Sequence, residues 1–308
     1  MINSRSLWTG AMALAMLNAC HPAKEASKKD SLPFPLPAFN KEGHRGTRGL
    51  MPENTIPAMY KAIDIGVNTV EVDVVYSKDR KVVISHDLYF NPDITTTPEG
   101  KSLDKKEAPR TLIYSMDYDS VRKYDVGLKY YAEFPRQQKM AAYKPLLGEL
   151  IDSTNAYARS KGKAILFNIE LKTSVANDGI KHPPVEEFVE GVMRMVEEKN
   201  IQKQCYLQSF DFRPLQLIHK KYPGIVTAVL ISDKDKRTLE QQLTELGYIP
   251  EMYSPHSALV TPELVRECHK RGTRIIPWTV NTPEEMKKLK EMGVDGIITD
   301  YPDYFSQL

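Results

Sequence analysis

Two histidines and three carboxylates in this chain stand inside or at the ends of apolar runs, where an ionisable group lowers stability unless something holds it. His44 closes the run Ala38–His44, just ahead of Arg45 and Gly46. Glu71 and Asp73 lie within Val70-Glu71-Val72-Asp73-Val74, His86 closes Val82–His86, and Glu170 lies in Ile169-Glu170-Leu171-Lys172. Side chains alternate across a strand, so Glu71 and Asp73 share one face and Val70, Val72 and Val74 the other. Two carboxylates that close raise each other's pKa and destabilise the fold unless a cation neutralises them. A divalent ion with oxygen ligands would do so, with Glu170 as the third ligand; an ion pair with a buried Arg or Lys is the alternative that the local pattern leaves open. Histidine titrates near neutral pH, so His44 and His86 at one mouth suit a general acid and a general base. Their company sets them apart from His182, His219 and His269, which are expected to face solvent; His256, in a loop after a strand, is undecided. Arg45 offers a fork of donors and Lys172 a point charge, both suited to phosphate oxygens.

Gly43 and Gly46 flank the His-Arg pair and would let backbone approach a ligand closely, although loop geometry alone could require them. Trp278, in Ile276-Pro277-Trp278-Thr279, either walls a pocket or packs in the core. Positioning all these groups takes strands that deliver them to one end of a sheet. Apolar runs alternate with amphipathic segments along the chain, as in βα units around a parallel sheet. Strands are predicted at Ala38–His44, Asn68–Val75, Val82–His86, Ala164–Leu171, Gln204–Ser209, Ile225–Leu230, Met252–Ser254, Arg274–Thr279 and Asp295–Thr299. Only Tyr76 to Lys81 separates the second and third, too short for a crossover between parallel partners, so Val82–His86 is expected to return as an antiparallel hairpin. Removing it leaves eight parallel strands, an α/β barrel of the (β/α)8 TIM type, with His86 carried back to the mouth where Glu71 and Asp73 sit. Helices are predicted at Ile56–Ile65, Lys144–Ser160, Pro184–Lys199, Arg213–Tyr222, Lys236–Leu246, Thr261–Arg271 and Thr282–Met292. Pro57 early and Gly66 late frame the first of them. The polar, aromatic stretch 88–143, after the second barrel strand, is longer than a crossover needs and reads as a small inserted lid.

The 308 residues carry a formal charge of +2, with basic residues spread along the sequence, so no footprint for nucleic acid is visible. Arg5 precedes an apolar stretch, Leu7 to Leu17, too short to span a bilayer. Leu17-Asn18-Ala19-Cys20 resembles a bacterial lipobox. Residues 1–19 are therefore expected to be a lipoprotein signal peptide, with lipidated Cys20 opening a flexible tether over 20–37 and the globular domain filling 38–308. The expected location is the cell envelope, as an exported lipoprotein touching membrane only through its anchor, at the periplasmic side or the cell surface. Cys205 and Cys268 are expected to be buried free thiols rather than a disulfide. No partner protein is evident.

The ordered set His44-Arg45-Gly46, Glu53-Asn54-Thr55, Glu71-Val72-Asp73-Val74, Ser85-His86-Asp87, Glu170-Leu171-Lys172, Trp278-Thr279-Val280-Asn281 and Gly293 to Asp300 strongly resembles the glycerophosphodiester phosphodiesterases, metal-dependent (β/α)8 barrels. The resemblance runs from about residue 40 to the C-terminus. It implies that Glu71, Asp73 and Glu170 hold Ca²⁺ or Mg²⁺, that His44 and His86 are the acid/base pair, and that Arg45 and Lys172 bind the phosphate of a small phosphodiester. Glu53, Asn54 and Trp278 are implied to lie at the substrate. The implied reaction is hydrolysis of a glycerophosphodiester to sn-glycerol 3-phosphate and an alcohol. Two other readings remain: a phospholipase-type activity on lysophospholipid or inositol-containing diesters, and a lipoprotein that captures phosphodiesters without cleaving them.

Overall fold

Each of the nine predicted strand segments forms a strand: β1 (Asn40–Gly43), β2 (Thr69–Tyr76), β3 (Val82–Ile84), β4 (Leu166–Leu171), β5 (Cys205–Ser209), β6 (Val226–Ile231), β7 (Met252–Pro255), β8 (Arg274–Ile275) and β9 (Gly296–Thr299). The computed structural model describes Met1 and residues 35–308, so the leader, Cys20 and most of the tether lie outside the described residues. Neighbouring strands run in the order β8-β7-β6-β5-β4-β2-β1-β9, all parallel, and β3 pairs antiparallel with β2 as the short connection requires. Between the two end strands, Asp295 N–H donates to the Ile275 carbonyl at 2.9 Å and Ile298 N–H to that of Pro277 at 3.0 Å, which all but closes the barrel. The regular part of β8 stops at Ile275, short of the expected Thr279. Pro277 has no N–H to give a ladder, although Ile276 and Trp278 still donate to Tyr253 and Pro255 at 3.0 Å.

Helices α1 (Ile56–Ile65), α2 (Tyr118–Val121), α3 (Leu147–Ser160), α4 (Val185–Glu198), α5 (Phe212–Lys221), α6 (Leu239–Leu246), α7 (Pro262–Lys270) and α8 (Pro283–Glu291) follow the expected positions, with α2 alone inside the insertion. Thr55 caps α1 through the Ala58 N–H, and Gly66 ends it with a left-handed φ of 98°. Val70, Val72 and Val74 point outward into the layer between sheet and helices, where they pack with Ile63, Phe167, Val189 and Leu207.

The barrel interior divides into two halves. Val226, Ala228, Met252, Ile276 and Ile298 fill one side. Asn40, Glu42, Thr69, Glu71, Asn168 and Gln208 fill the other, all 2% exposed or less. Segment 88–143 forms 3₁₀ turns and α2 over a small core in which Phe90, Ile113, Tyr118 and Val121 pack on Val75 and Val83 of the hairpin. Cys205 and Cys268 are buried and unbridged, one in the cluster around β4 and one in that behind β7. Among the described residues no helix is long and apolar enough to cross a membrane.

Candidate active site

The loop after β1 sets the site's edge through backbone geometry that few residues tolerate. Arg45 and Asn54 adopt left-handed φ angles of 48° and 57°, and Gly46 one of 81°. A Cβ on Gly46 would lie 2.8 Å from that of Ala58, so α1 itself excludes a side chain there. The turn is pinned from three directions: Gly46 N–H donates to the Gly43 and Glu71 carbonyls, Asn54 N–H to that of Arg45, and Gly49 N–H to that of Asp300.

Parallel register places Asp73 beside Glu170 and Glu71 beside Asn168, so the three carboxylates converge as expected. One oxygen from each of Glu71, Asp73 and Glu170 lies within 4.8 Å of the others, and all three residues are buried. Burial, reinforced by the Asp73 and Glu170 charges, pushes Glu71 well above the usual carboxylate range. Burial also raises Glu170, against the pull of Lys172. Asp73 feels the same burial, yet Lys172, His86 and Arg45 hold it below its ordinary value. Asn54 clamps it from two sides, donating Nδ2–H to Oδ2 at 2.8 Å and accepting the Asp73 N–H at 3.2 Å. Asp73 Oδ1 is buried without a hydrogen-bond partner. Three hard oxygen donors and an orphaned carboxylate oxygen at one point fit a divalent cation.

Each histidine is held by an aspartate at Nδ1. His44 meets Asp300 Oδ1 at 2.7 Å, leaving Nε2 facing inward, 4.0 Å from Glu71 Oε2. Arg48 grips the same Asp300 with two bonds of 2.8 and 2.9 Å, and Asn281 adds a third donor at 2.7 Å. Burial pushes His44 down to about 4 against the opposing pull of Asp300. His86 meets Asp87 Oδ1 at 3.0 Å, and Ser85, steadied by Lys144 at 2.9 Å, holds the Asp87 carbonyl at 2.7 Å.

Two clefts meet at His86, Glu170, Lys172 and Phe210. One also takes in His44, Arg45 and Arg48 and is walled by Trp278, Leu230 and Ile298; the other runs out past Asp87, Tyr89, Ser174 and Lys181. Lys172 sits 2.6 Å from Glu170 Oε1 and 3.6 Å from Asp73 Oδ1, so it borders both the carboxylates and the clefts. Trp278 is a pocket wall whose Nε1–H is anchored on the Ser254 carbonyl. Glu53 and Asn54 belong to the site through other residues: Glu53 holds Arg45 at 2.9 Å, and Asn54 holds Asp73. His182 corrects the expectation of a solvent-facing ring. It is fully buried because the loop before α4 folds around it, with Nε2 accepting the Ser174 N–H at 3.0 Å and Nδ1 bonded to the Pro183 carbonyl at 2.7 Å. His219 and His269 are exposed as expected, and His256 stands edge-on to Trp278. Asp300, Arg48, Gln208, Phe210 and Lys144 escaped the sequence reading. Asp300, in phase with the inward side of β9, carried the one legible signal.

The comparisons with known proteins converge on one family. A glycerophosphodiester phosphodiesterase of Bacillus altitudinis is 32% identical over 263 residues, 84% of this chain and 94% of that protein. A structure from Silicibacter pomeroyi DSS-3, described as a candidate glycerophosphoryl diester phosphodiesterase, superposes with a TM-score of 0.79 at 30% identity, covering 92% of this chain and 97% of that one. A phosphodiesterase of Oleispira antarctica, solved with its product sn-glycerol-3-phosphate, shares the fold at 23% identity and a TM-score of 0.69, covering 88% and 96%. With the model of the glycerophosphoryl diester phosphodiesterase family matching residues 44–304, the chain belongs to that family and is a phosphodiesterase of the glycerophosphodiester class.

Proposed function

We propose that this enzyme hydrolyses glycerophosphodiesters to sn-glycerol 3-phosphate and an alcohol, using Ca²⁺ or Mg²⁺ held by Glu71, Asp73 and Glu170 and acid/base catalysis by His44 and His86. The observation that carries the proposal is convergence: His86, Glu170 and Lys172 border the place where two clefts meet, His44 and Arg45 line one of those clefts, both imidazoles are held by aspartates, and oxygens of Glu71 and Asp73 lie within 4.8 Å of one on Glu170. A diester has two arms, and two clefts give each a place on either side of the phosphoryl group. The product bound to the Oleispira antarctica relative supports the glycerol 3-phosphate end of this reading.

A bound cation would polarise a phosphoryl oxygen and lower the pKa of a hydroxyl or water beside it. The chain's own groups do the rest. Arg45, braced by Glu53 and by Asp73 at 3.4 Å, and Lys172 neutralise phosphate oxygens. His44 carries its proton on Nδ1, where Asp300 accepts it, so Nε2 is free to take one; His86 has the matching arrangement with Asp87. One imidazole removes the nucleophile's proton and the other protonates the leaving alkoxide. Trp278, Leu230 and Phe210 give the pocket an apolar wall on one side. The proposal extends to location: export and lipidation at Cys20 would tether the enzyme to a membrane, supported by Leu17-Asn18-Ala19-Cys20.

The test is release of sn-glycerol 3-phosphate from glycerophosphocholine and glycerophosphoethanolamine by the purified chain, first with EDTA, then with Ca²⁺ or Mg²⁺ restored. Release that returns with a metal supports the proposal. A folded protein inactive on both with either metal, but active on lysophosphatidylcholine, would replace the soluble substrate with a lipid one.

A further inference from the structure

Beneath the carboxylates, the polar half of the barrel interior is one hydrogen-bonded network in which Asn168 donates both toward Glu71, through Gln208, and toward Glu42. Gln208 Nε2–H donates to Glu71 Oε1 at 3.3 Å, and Gln208 Oε1 accepts from Asn168 Nδ2 at 2.9 Å. The same Asn168 nitrogen donates to Glu42 Oε2 at 3.0 Å. The other Glu42 oxygen accepts from Asn40 Nδ2 at 2.7 Å and from the Tyr206 hydroxyl. Asn40 Oδ1 in turn accepts from the Thr69 hydroxyl at 2.6 Å. Every member is buried, and none of Asn40, Glu42, Asn168 or Tyr206 borders either cleft.

An amide carries donors at one end and an acceptor at the other, so such a chain has a polarity. Asn168 commits its N–H groups to Glu42 and Gln208 and leaves its own Oδ1 buried without a partner. Turning the amide over would satisfy nothing, since that oxygen would then face two acceptors. The acceptor oxygens of Glu42 therefore fix Asn168, and Asn168 fixes Gln208 with its N–H₂ toward Glu71.

We infer that Glu42, Asn168 and Gln208 are positioning residues for the cation site, holding Glu71 from below so that it meets an ion in one fixed orientation. Arg45 N–H donates to Glu71 Oε2 at 2.7 Å, so a donor on each oxygen leaves only the remaining lone pairs for a metal. The inference rests on the proposal that Glu71, Asp73 and Glu170 hold a cation.

Calorimetric titration of the full chain with Ca²⁺ and with Mg²⁺, without substrate, tests it. The unchanged protein comes first: absence of binding would overturn the cation reading and the inference together. Given binding, Gln208→Met, which removes the donor on Glu71, is expected to weaken it roughly tenfold or more. Glu42→Gln, which sets an N–H₂ against the donors of Asn168 or Asn40 away from both clefts, is expected to weaken it severalfold, with KM at saturating metal unchanged. Asn168→Leu adds the middle link where it folds. Folded Gln208→Met and Glu42→Gln proteins that bind metal as tightly as the parent would overturn the inference while leaving the cation site standing.

Discussion

Asp300 shows how much a single residue can determine about a histidine it touches. It gathers donors from His44, Arg48 and Asn281, so its carboxylate is fixed and ionised, and the bond at Nδ1 settles which His44 nitrogen is free. An asparagine there presents an N–H₂ at the position that now accepts, which favours the wrong tautomer. Asp300→Asn is expected to lower kcat by about 10²- to 10⁴-fold, with KM changed only a few-fold; steady-state kinetics on glycerophosphocholine would show it. Full turnover in that variant would end the positioning role. The strand phase of Asp300 was legible, but its pairing with His44 was not, because 256 residues separate the partners. The carboxylates were readable, since a charge inside a β-branched run lowers stability unless a partner or a ligand compensates it.

At the scale of elements, the strands and helices were legible wherever one physical pattern dominated: β-branched runs for strands, Pro-early and Gly-late signals for α1. The antiparallel return followed from the length of its connection. Legibility failed where the path of a loop or the loss of one backbone donor decides. His182 is held by backbone groups of its own loop, and β8 loses regular pairing where Pro277 lacks a donor. The interior alternation Asn40-Glu42-His44 and Asn168-Glu170 was available in the sequence, but which half of a barrel is polar depends on strand order. The turn after β1 is the element the site leans on most. Gly46→Ala would combine a left-handed backbone with a Cβ pressed on α1, and is expected to cost about 1–3 kcal/mol in a urea melt. An unchanged midpoint would show that the turn yields more readily than its contacts indicate.

Across the whole molecule, ionisable groups inside the barrel tie stability to pH and to metal. Burial pushes Glu42 up to about 7, against the donors Tyr206 and Asn168. A group raised in the folded state binds more protons there than in the unfolded chain, so its contribution is complete below about 4.5 and is lost as pH rises through 7. Glu42→Gln has no such titration. Its stability relative to the parent is expected to rise between pH 4.5 and 8, by up to roughly 3 kcal/mol, in parallel denaturant melts. A difference independent of pH would show that Glu42 stays ionised in the fold. Metal acts in the opposite sense, stabilising the folded state alone. Ca²⁺ or Mg²⁺ at about 100 times its Kd should add roughly 2.7 kcal/mol and raise Tm by about 5 °C, an effect reversed by EDTA. No shift with either ion would contradict a folded-state cation site.

Division of proton transfer between the two Asp-held histidines is the step on which the proposed reaction turns. Its most direct test is the turnover of His44→Ala and His86→Ala on glycerophosphocholine compared with a glycerophosphodiester whose leaving group is p-nitrophenol. Both variants should lose about 10²- to 10⁴-fold on the choline ester. On the nitrophenyl ester, whose leaving group needs no protonation, one variant should recover most of its turnover and the other should not, which identifies the acid and the base. Equal recovery in both, or in neither, would contradict a divided acid and base.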